Sequence, residues 1–125
     1  AHCREDLEWL KPVSGSAPPG TRLFVYEKCG EISQLDLPLF QEVAVIPRPD
    51  HGRARGDECT AYATHLITRY DDLADYTVFL QSDPDHHLHM EFLDAVLRSI
   101  ALNTYNVEYL PLNGARHVLV RTPCL

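Results

Sequence analysis

A chain of 125 residues, 45% of them hydrophobic, is long enough for one packed core and too apolar for a disordered segment. Its formal net charge of -7, with seven histidines counted neutral, excludes a general affinity for nucleic acid or for an anionic membrane surface. No apolar run approaches the length of a membrane helix, and no basic-plus-apolar signal segment opens the sequence.

The first residues, Ala1-His2-Cys3-Arg4-Glu5-Asp6, lack an initiator Met and pass at once into a helical pattern. We therefore expect a single domain over 1–125, trimmed at its N-terminus, with its first strand mostly upstream of Ala1. A targeting signal or anchor would have gone with it, so localisation is unreadable; a secretory route follows only if the full-length protein carries such an anchor. Glu5 to Leu10 place Leu7 and Leu10 at helical spacing with Trp9 beside them, and Pro12 is expected to stop that helix. Ser14 to Gly20 reads as a loop, Leu23-Phe24-Val25-Tyr26 as a strand, and Lys28-Cys29-Gly30 as the turn leaving it. Gln34 to Gln41 is ambiguous, with Pro38 breaking any helix. Val43-Ala44-Val45-Ile46 is a second strand, closed by Pro47 and Pro49.

Asp50 to Gly56 forms a loop bearing glycines and arginines. Asp57 then opens a helix to about Tyr70, whose expected buried stripe is Cys59, Tyr62, Ala63, Leu66, Ile67 and Tyr70. After the polar turn Asp71 to Asp75, Tyr76 to Leu80 is a continuous apolar, β-branched and aromatic run, the pattern of a strand buried on both faces. Met90 to Leu102 is a second amphipathic helix with Phe92, Leu93, Val96, Leu97 and Ile100 inward. Short strand candidates at Val107 to Leu110 and His117 to Val120 flank an Asn113-Gly114 turn. Strands alternating with helices predict an α/β fold: a three-layer-like domain with a mostly parallel central sheet flanked by helices. The cysteines, Cys3, Cys29, Cys59 and Cys124, contain no Cys-x-x-Cys pair, which excludes a zinc ribbon or thioredoxin motif. Two disulfides are open, but ordinary thiols are the favoured reading.

Three constellations carry chemistry. The run Gln81-Ser82-Asp83-Pro84-Asp85-His86-His87 sits where the third strand ends, and ligand crevices of open α/β sheets lie at the carboxyl ends of strands. Asp83 and Asp85, two residues apart around a proline, can reach one hard cation, Mg²⁺ or Mn²⁺, and bridge it to a diphosphate. His86, His87 and His89 can add nitrogen donors, with His86 and His87 the favoured ligands, which suit Mn²⁺ or, as a lesser option, Zn²⁺. The plainer use of the same residues is capping: Ser82 or Asp83 closing the next helix, Asp85 near its positive end, the histidines solvated. On the Asp57 helix, Glu58, Tyr62 and His65 fall within a sector roughly 60° wide, so an acid, a phenol and an imidazole share one ridge. Glu58 and His65 are the acid/base candidates and Tyr62 a substrate contact; the alternative is a core tyrosine between two boundary polar groups. Arg53 and Arg55, in a glycine loop ahead of a helix N-terminus, suit an anion, though the Walker and dinucleotide spacings are absent. Arg4, Glu5 and Asp6, at the expected end of the missing first strand, form a weaker candidate that could equally be an exposed helix start.

The segment Gly56 to Leu73 resembles a family known only as domain of unknown function 3431. Its members carry Gly-Arg-Glu, a Tyr and a His at these offsets, Tyr-Asp-Asp-Leu, and a Phe-Leu-Gln-Gly strand end. Phe79-Leu80-Gln81-Ser82-Asp83-Pro84 matches the last element with Ser82 in place of Gly, and Asp57 stands where the family has Arg. Glu5-Asp6-Leu7-Glu8-Trp9-Leu10 and Val25-Tyr26-Glu27-Lys28 match its opening and its Val-Tyr strand, so the likeness runs from Arg4 to about Pro84. More distantly, a strand ending near Glu-Asp, a Val-Tyr strand and an apolar strand ending in Asp-x-Asp resemble the nucleotide-binding half of a GT-A glycosyltransferase. That resemblance implies a metal-dependent transferase-like domain taking a nucleotide-sugar and a glycan or other acceptor, with Asp83 and Asp85 on the cation and Gln81 near the substrate. A metal-dependent hydrolase and a non-catalytic binding or scaffold domain stay open beside it.

Overall fold

The structure, a computed structural model, describes residues 1–49 and 57–112. It is a small mixed α/β domain: α1 (Leu10–Ser16), β1 (Arg22–Glu27), β2 (Glu42–Pro47), α2 (Asp57–Thr68) and α3 (Met90–Ala101), with 3₁₀ turns at Tyr70–Asp72 and Pro84–His86. The strands pair in parallel, Leu23 opposite Val43 and Val25 opposite Val45.

Pro12 does not end the first helix; it belongs to it. With Trp9 as N-cap, Pro12 is the third helical residue, in the turn whose N–H groups have no intrahelical acceptor, so its missing donor costs nothing there. The helix stops instead at Ala17, which is extended, followed by Pro18 and Pro19. Gly20, at φ +85°, then turns the chain into β1, a left-handed conformation that favours glycine.

The N-terminal arm is fixed to β1 by a single parallel bridge between His2 and Glu27. The His2 N–H donates to the Tyr26 carbonyl and the Lys28 N–H to the His2 carbonyl, each at 2.8 Å. The buried His2 ring also meets the buried Glu27 carboxylate through Nδ1. This pairing brings the Cα atoms of Cys3 and Cys29 to 4.8 Å, and the two are joined as a disulfide. Cys59 is disulfide-bonded as well, so the expectation of ordinary thiols is overturned. Cysteine spacing carries no sign of the pairing, because the contact is made by backbone register.

Both faces of β1 are covered. Leu23 packs with Val43 against Leu10, Leu37 and Phe40 on one side. Phe24 and Tyr26, on the opposite face, meet His65 of α2. α1 packs beside α3, where Ser16 donates to the Asp94 carboxylate. Leu93, Val96 and Leu97 of α3 are buried as expected and Ile100 is half-buried, while Phe92 is 42% exposed. On α2 the expected stripe is displaced: Ala61 and His65 are buried, whereas Ala63, Leu66, Ile67 and Tyr70 are exposed. The aromatic rings of β1 supply the reason, since they offer the imidazole a hydrogen-bond partner and thereby remove the cost of burying it.

The expected third strand is absent as a strand. Residues 76–81 run without a ladder partner among the described residues, and Tyr76 and Val78 are exposed. Val107 to Leu110 likewise forms no strand. The Asn113-Gly114 turn, the His117 to Val120 candidate and the Arg53 and Arg55 loop lie outside the described residues.

Two stability measurements follow. Replacing both Cys3 and Cys29 by serine opens a loop of sequence separation 26, and urea unfolding should show a loss of about 3 kcal/mol. Leu93→Ala empties a site with 0% exposure and should cost roughly 2–5 kcal/mol. An unchanged unfolding midpoint in either variant contradicts the packing described.

Candidate functional site

Ser82 is the residue on which three parts of the chain converge. It is buried, and its carbonyl accepts a 2.8 Å hydrogen bond from the Trp9 indole N–H. Its hydroxyl hydrogen-bonds the carboxylate of Glu5, which also accepts the backbone N–H groups of Cys3 at 2.8 Å and Arg4 at 3.0 Å. Loss of solvation works to raise the Glu5 carboxyl. The N–H groups of Cys3, Glu5 itself and Arg4, with the Ser82 hydroxyl, outweigh it and hold the group down at about 2. The loop Arg4-Glu5-Asp6, a minor candidate in sequence, thus meets the end of the 76–81 segment directly.

Immediately after Ser82 the chain makes its 3₁₀ turn around a fully buried Pro84. The His86 and His87 N–H groups donate to the Asp83 and Pro84 carbonyls at 3.2 and 2.9 Å. Asp83 stands at the N-cap position, yet its side chain makes no capping hydrogen bond. The capping role is therefore not taken up, and the half-buried Asp83 carboxylate has no hydrogen-bond or ion-pair partner among the described residues. Asp85, His86 and His87 are exposed on the same turn. No group of three or more His, Cys, Asp or Glu side chains among the described residues is arranged to hold a metal by itself.

Tyr62, His65 and Gln81 share one cavity of about 410 Å³, bounded by β1 on one side and by residues 74–82 on the other. The Tyr62 ring packs on Phe79 at 4.7 Å between centroids. Burial, and secondarily the negative charge of Glu58, push its hydroxyl up to about 12, so it is a neutral donor. His65 Nδ1 and the Tyr26 hydroxyl are hydrogen-bonded at 3.0 Å, with Phe24 and Phe79 rings against the imidazole. Burial first, then the Arg69 and Arg22 charges, lower the His65 pKa, which keeps the ring neutral at physiological pH. Those two arginines are held in turn: Arg22 donates to Asp72 at 2.6 Å, and Arg69 lies 4.5 Å over Phe24.

Glu58 is half-buried on the first turn of α2 and makes no direct contact with His65 among the described residues. Its charge instead bears on Tyr62 and on the Ala1 ammonium. The expected ridge therefore divides: Tyr62 and His65 face the cavity, and Glu58 stands at its margin. The turn carrying Asp83 to His87 adjoins the cavity through Gln81 and Ser82 without lining it. Sequence reading missed the Tyr26–His65 pair and the His2–Glu27 clamp; in both, the partners are far apart in sequence and no motif links them.

The profile of a family described as "Protein of unknown function (DUF3431)" matches residues 3–115. No curated protein and no solved structure matches the chain.

A pH series tests the Glu5 clamp. Glu5 falls from the ordinary 4.5 to about 2, and the Glu27 carboxyl is also depressed, its cost of burial outweighed by His2 and the Cys29 N–H. Groups depressed in the folded state contribute stability that is fully present above their unfolded values and is lost as pH falls toward the folded ones. Thermal unfolding should therefore drop in midpoint between pH 4.5 and about 2, and Glu5→Gln should flatten part of that slope. An identical slope in the variant contradicts the clamp.

Proposed function

The chain belongs to the family of proteins of unknown function DUF3431, and from that premise we propose that it is a GT-A-like domain binding the diphosphate of a nucleotide-sugar through a divalent cation. One observation carries this reading: the Asp83 carboxylate, at the carboxyl end of an extended segment anchored by Trp9 and Glu5, has no hydrogen-bond or ion-pair partner among the described residues. Asp85 follows two residues later and is open to solvent. A Mg²⁺ or Mn²⁺ site that uses substrate phosphates needs only one or two carboxylates, the remaining ligands being phosphate oxygens and water.

In this reading Asp83 and Asp85 hold the cation, and His86 and His87 support it from the same turn. Zinc fits less well, since it draws on three or four protein ligands. The bound cation supplies positive charge where a phosphate leaving group departs. Gln81 and the neutral Tyr62 hydroxyl provide hydrogen bonds toward the sugar or base, and Arg53 and Arg55 toward the phosphates. Glu58 and His65 act as acid and base toward an acceptor hydroxyl. The Tyr26 hydroxyl fixes His65 at Nδ1, which leaves Nε2 for proton transfer. A disulfide-bonded chain suits an oxidising compartment, where glycan acceptors are also found.

Differential scanning with a nucleoside diphosphate sugar and Mn²⁺ tests the proposal. A ligand at a hundred times its dissociation constant stabilises by about 2.7 kcal/mol, which raises the midpoint by several degrees. The rise should require both components and disappear in Asp83→Asn combined with Asp85→Asn. A shift that is absent, or equal without metal, contradicts it.

A further inference from the structure

The cavity, or slot, is lined by two backbones, β1 and the 77–81 segment, and by side chains of two helices, Tyr62 and His65 of α2 and Leu93 and Leu97 of α3. The two backbones share a feature. In a parallel ladder, the N–H and C=O of one residue point to the same edge, and alternate residues point to opposite edges. On β1 the odd positions serve β2, as in the bonds from Arg48 N–H to the Glu27 carbonyl and from Gln41 N–H to the Thr21 carbonyl. The even positions face the slot. There the Tyr26 carbonyl and Lys28 N–H are taken by His2, while the Phe24 and Tyr26 N–H groups and the Arg22 and Phe24 carbonyls have no backbone partner among the described residues. Across the slot, residues 76–80 also form no backbone ladder.

We propose that this slot takes one more β-strand, an extended apolar segment joined in cis to Ala1 and running parallel to β1. The His2–Glu27 bridge already fixes its direction and register. Traced backward from His2, the positions two and four residues earlier fall opposite Val25 and Leu23. The first accepts from the Tyr26 N–H and donates to the Phe24 carbonyl; the second accepts from the Phe24 N–H and donates to the Arg22 carbonyl. Ala1 itself lines the slot, so a segment bonded to it leads straight in. Covalent attachment gives the strand a high effective concentration, which a separate peptide lacks. Its side chains would alternate between the Leu93 and Leu97 face and the Tyr62 and His65 face, so a predominantly apolar segment suits it. The strand would convert residues 76–80 from a lone extended run into the next member of a parallel sheet.

The test adds four residues, Val-Ile-Val-Val, ahead of Ala1 and compares amide hydrogen exchange with a Gly-Ser-Gly-Ser extension. The apolar extension is expected to slow exchange at Phe24 and Tyr26 at least tenfold, to slow residues 77–80 as well, and to raise the thermal midpoint. Proline at the extension position opposite Val25 should abolish most of that protection, because it cannot donate to the Phe24 carbonyl. Equal exchange in the two extensions, or full protection with the proline, overturns the proposal. So does equal protection by a capped Val-Ile-Val-Val peptide added in trans at equimolar concentration, which would assign the slot to a separate partner.

Discussion

The architecture depends on a buried hydrogen bond between the His2 ring and the Glu27 carboxylate. Both groups are almost fully out of solvent, a placement that is costly unless every polar atom is engaged. Here they are. The His2 ring reaches the Glu27 carboxylate through Nδ1 and the Glu5 carbonyl through Nε2 at 3.0 Å, both acceptors. The second Glu27 oxygen accepts the Cys29 N–H at 2.8 Å. Removing one partner would leave the other unsatisfied in the interior, at a cost of roughly 1–3 kcal/mol. The pair therefore fixes where the arm lies more firmly than hydrophobic contact alone would.

That position organises the edge of the domain. With His2 in register on β1, Cys3 falls beside Cys29, Glu5 reaches Ser82, and Trp9 closes on the Ser82 carbonyl. The turn after Ser82 is then held by the arm and by buried Pro84, while Asp83 and Asp85 have no hydrogen-bond or ion-pair partner among the described residues. A rigid support beneath unpaired carboxylates is the arrangement a cation-bridged phosphate ligand requires, because the site pays little to organise itself on binding. The aromatic cluster around His65 stands one layer deeper. There a neutral imidazole bonded to Tyr26 fastens α2 to β1 and keeps Tyr62 at the slot.

Much of this was legible where the signal is local. The inward residues Leu93, Val96 and Leu97 follow from 3.6-residue spacing, and the β1 and β2 runs from short apolar segments closed by the Lys28-Cys29-Gly30 turn and by Pro47 and Pro49. The readings failed where a distant partner decides. Pro12 looked like a terminator because its position relative to the Trp9 cap cannot be read from residue type alone. The face of α2 was misjudged because hydropathy counts His65 as polar, whereas the Tyr26 hydroxyl makes its burial affordable. Tyr76 to Leu80 has the composition of a central strand and no ladder partner among the described residues, so pattern and ladder part company. In the candidate site, the Asp83–His87 turn was found from residue types, while its supports, Glu5 and Trp9, were visible only as members of an opening helix.

The central claim is that the turn held by Glu5 and Trp9 is the ligand edge of the domain. Paramagnetic broadening by Mn²⁺, added to isotope-labelled protein with a nucleoside diphosphate sugar, tests it most directly. Amide signals should broaden first over residues 81–87 and next at Glu5 and Asp6 across the same edge. Broadening spread instead over carboxylates far from that edge, such as Asp71, Asp75 and Glu108, would contradict the account.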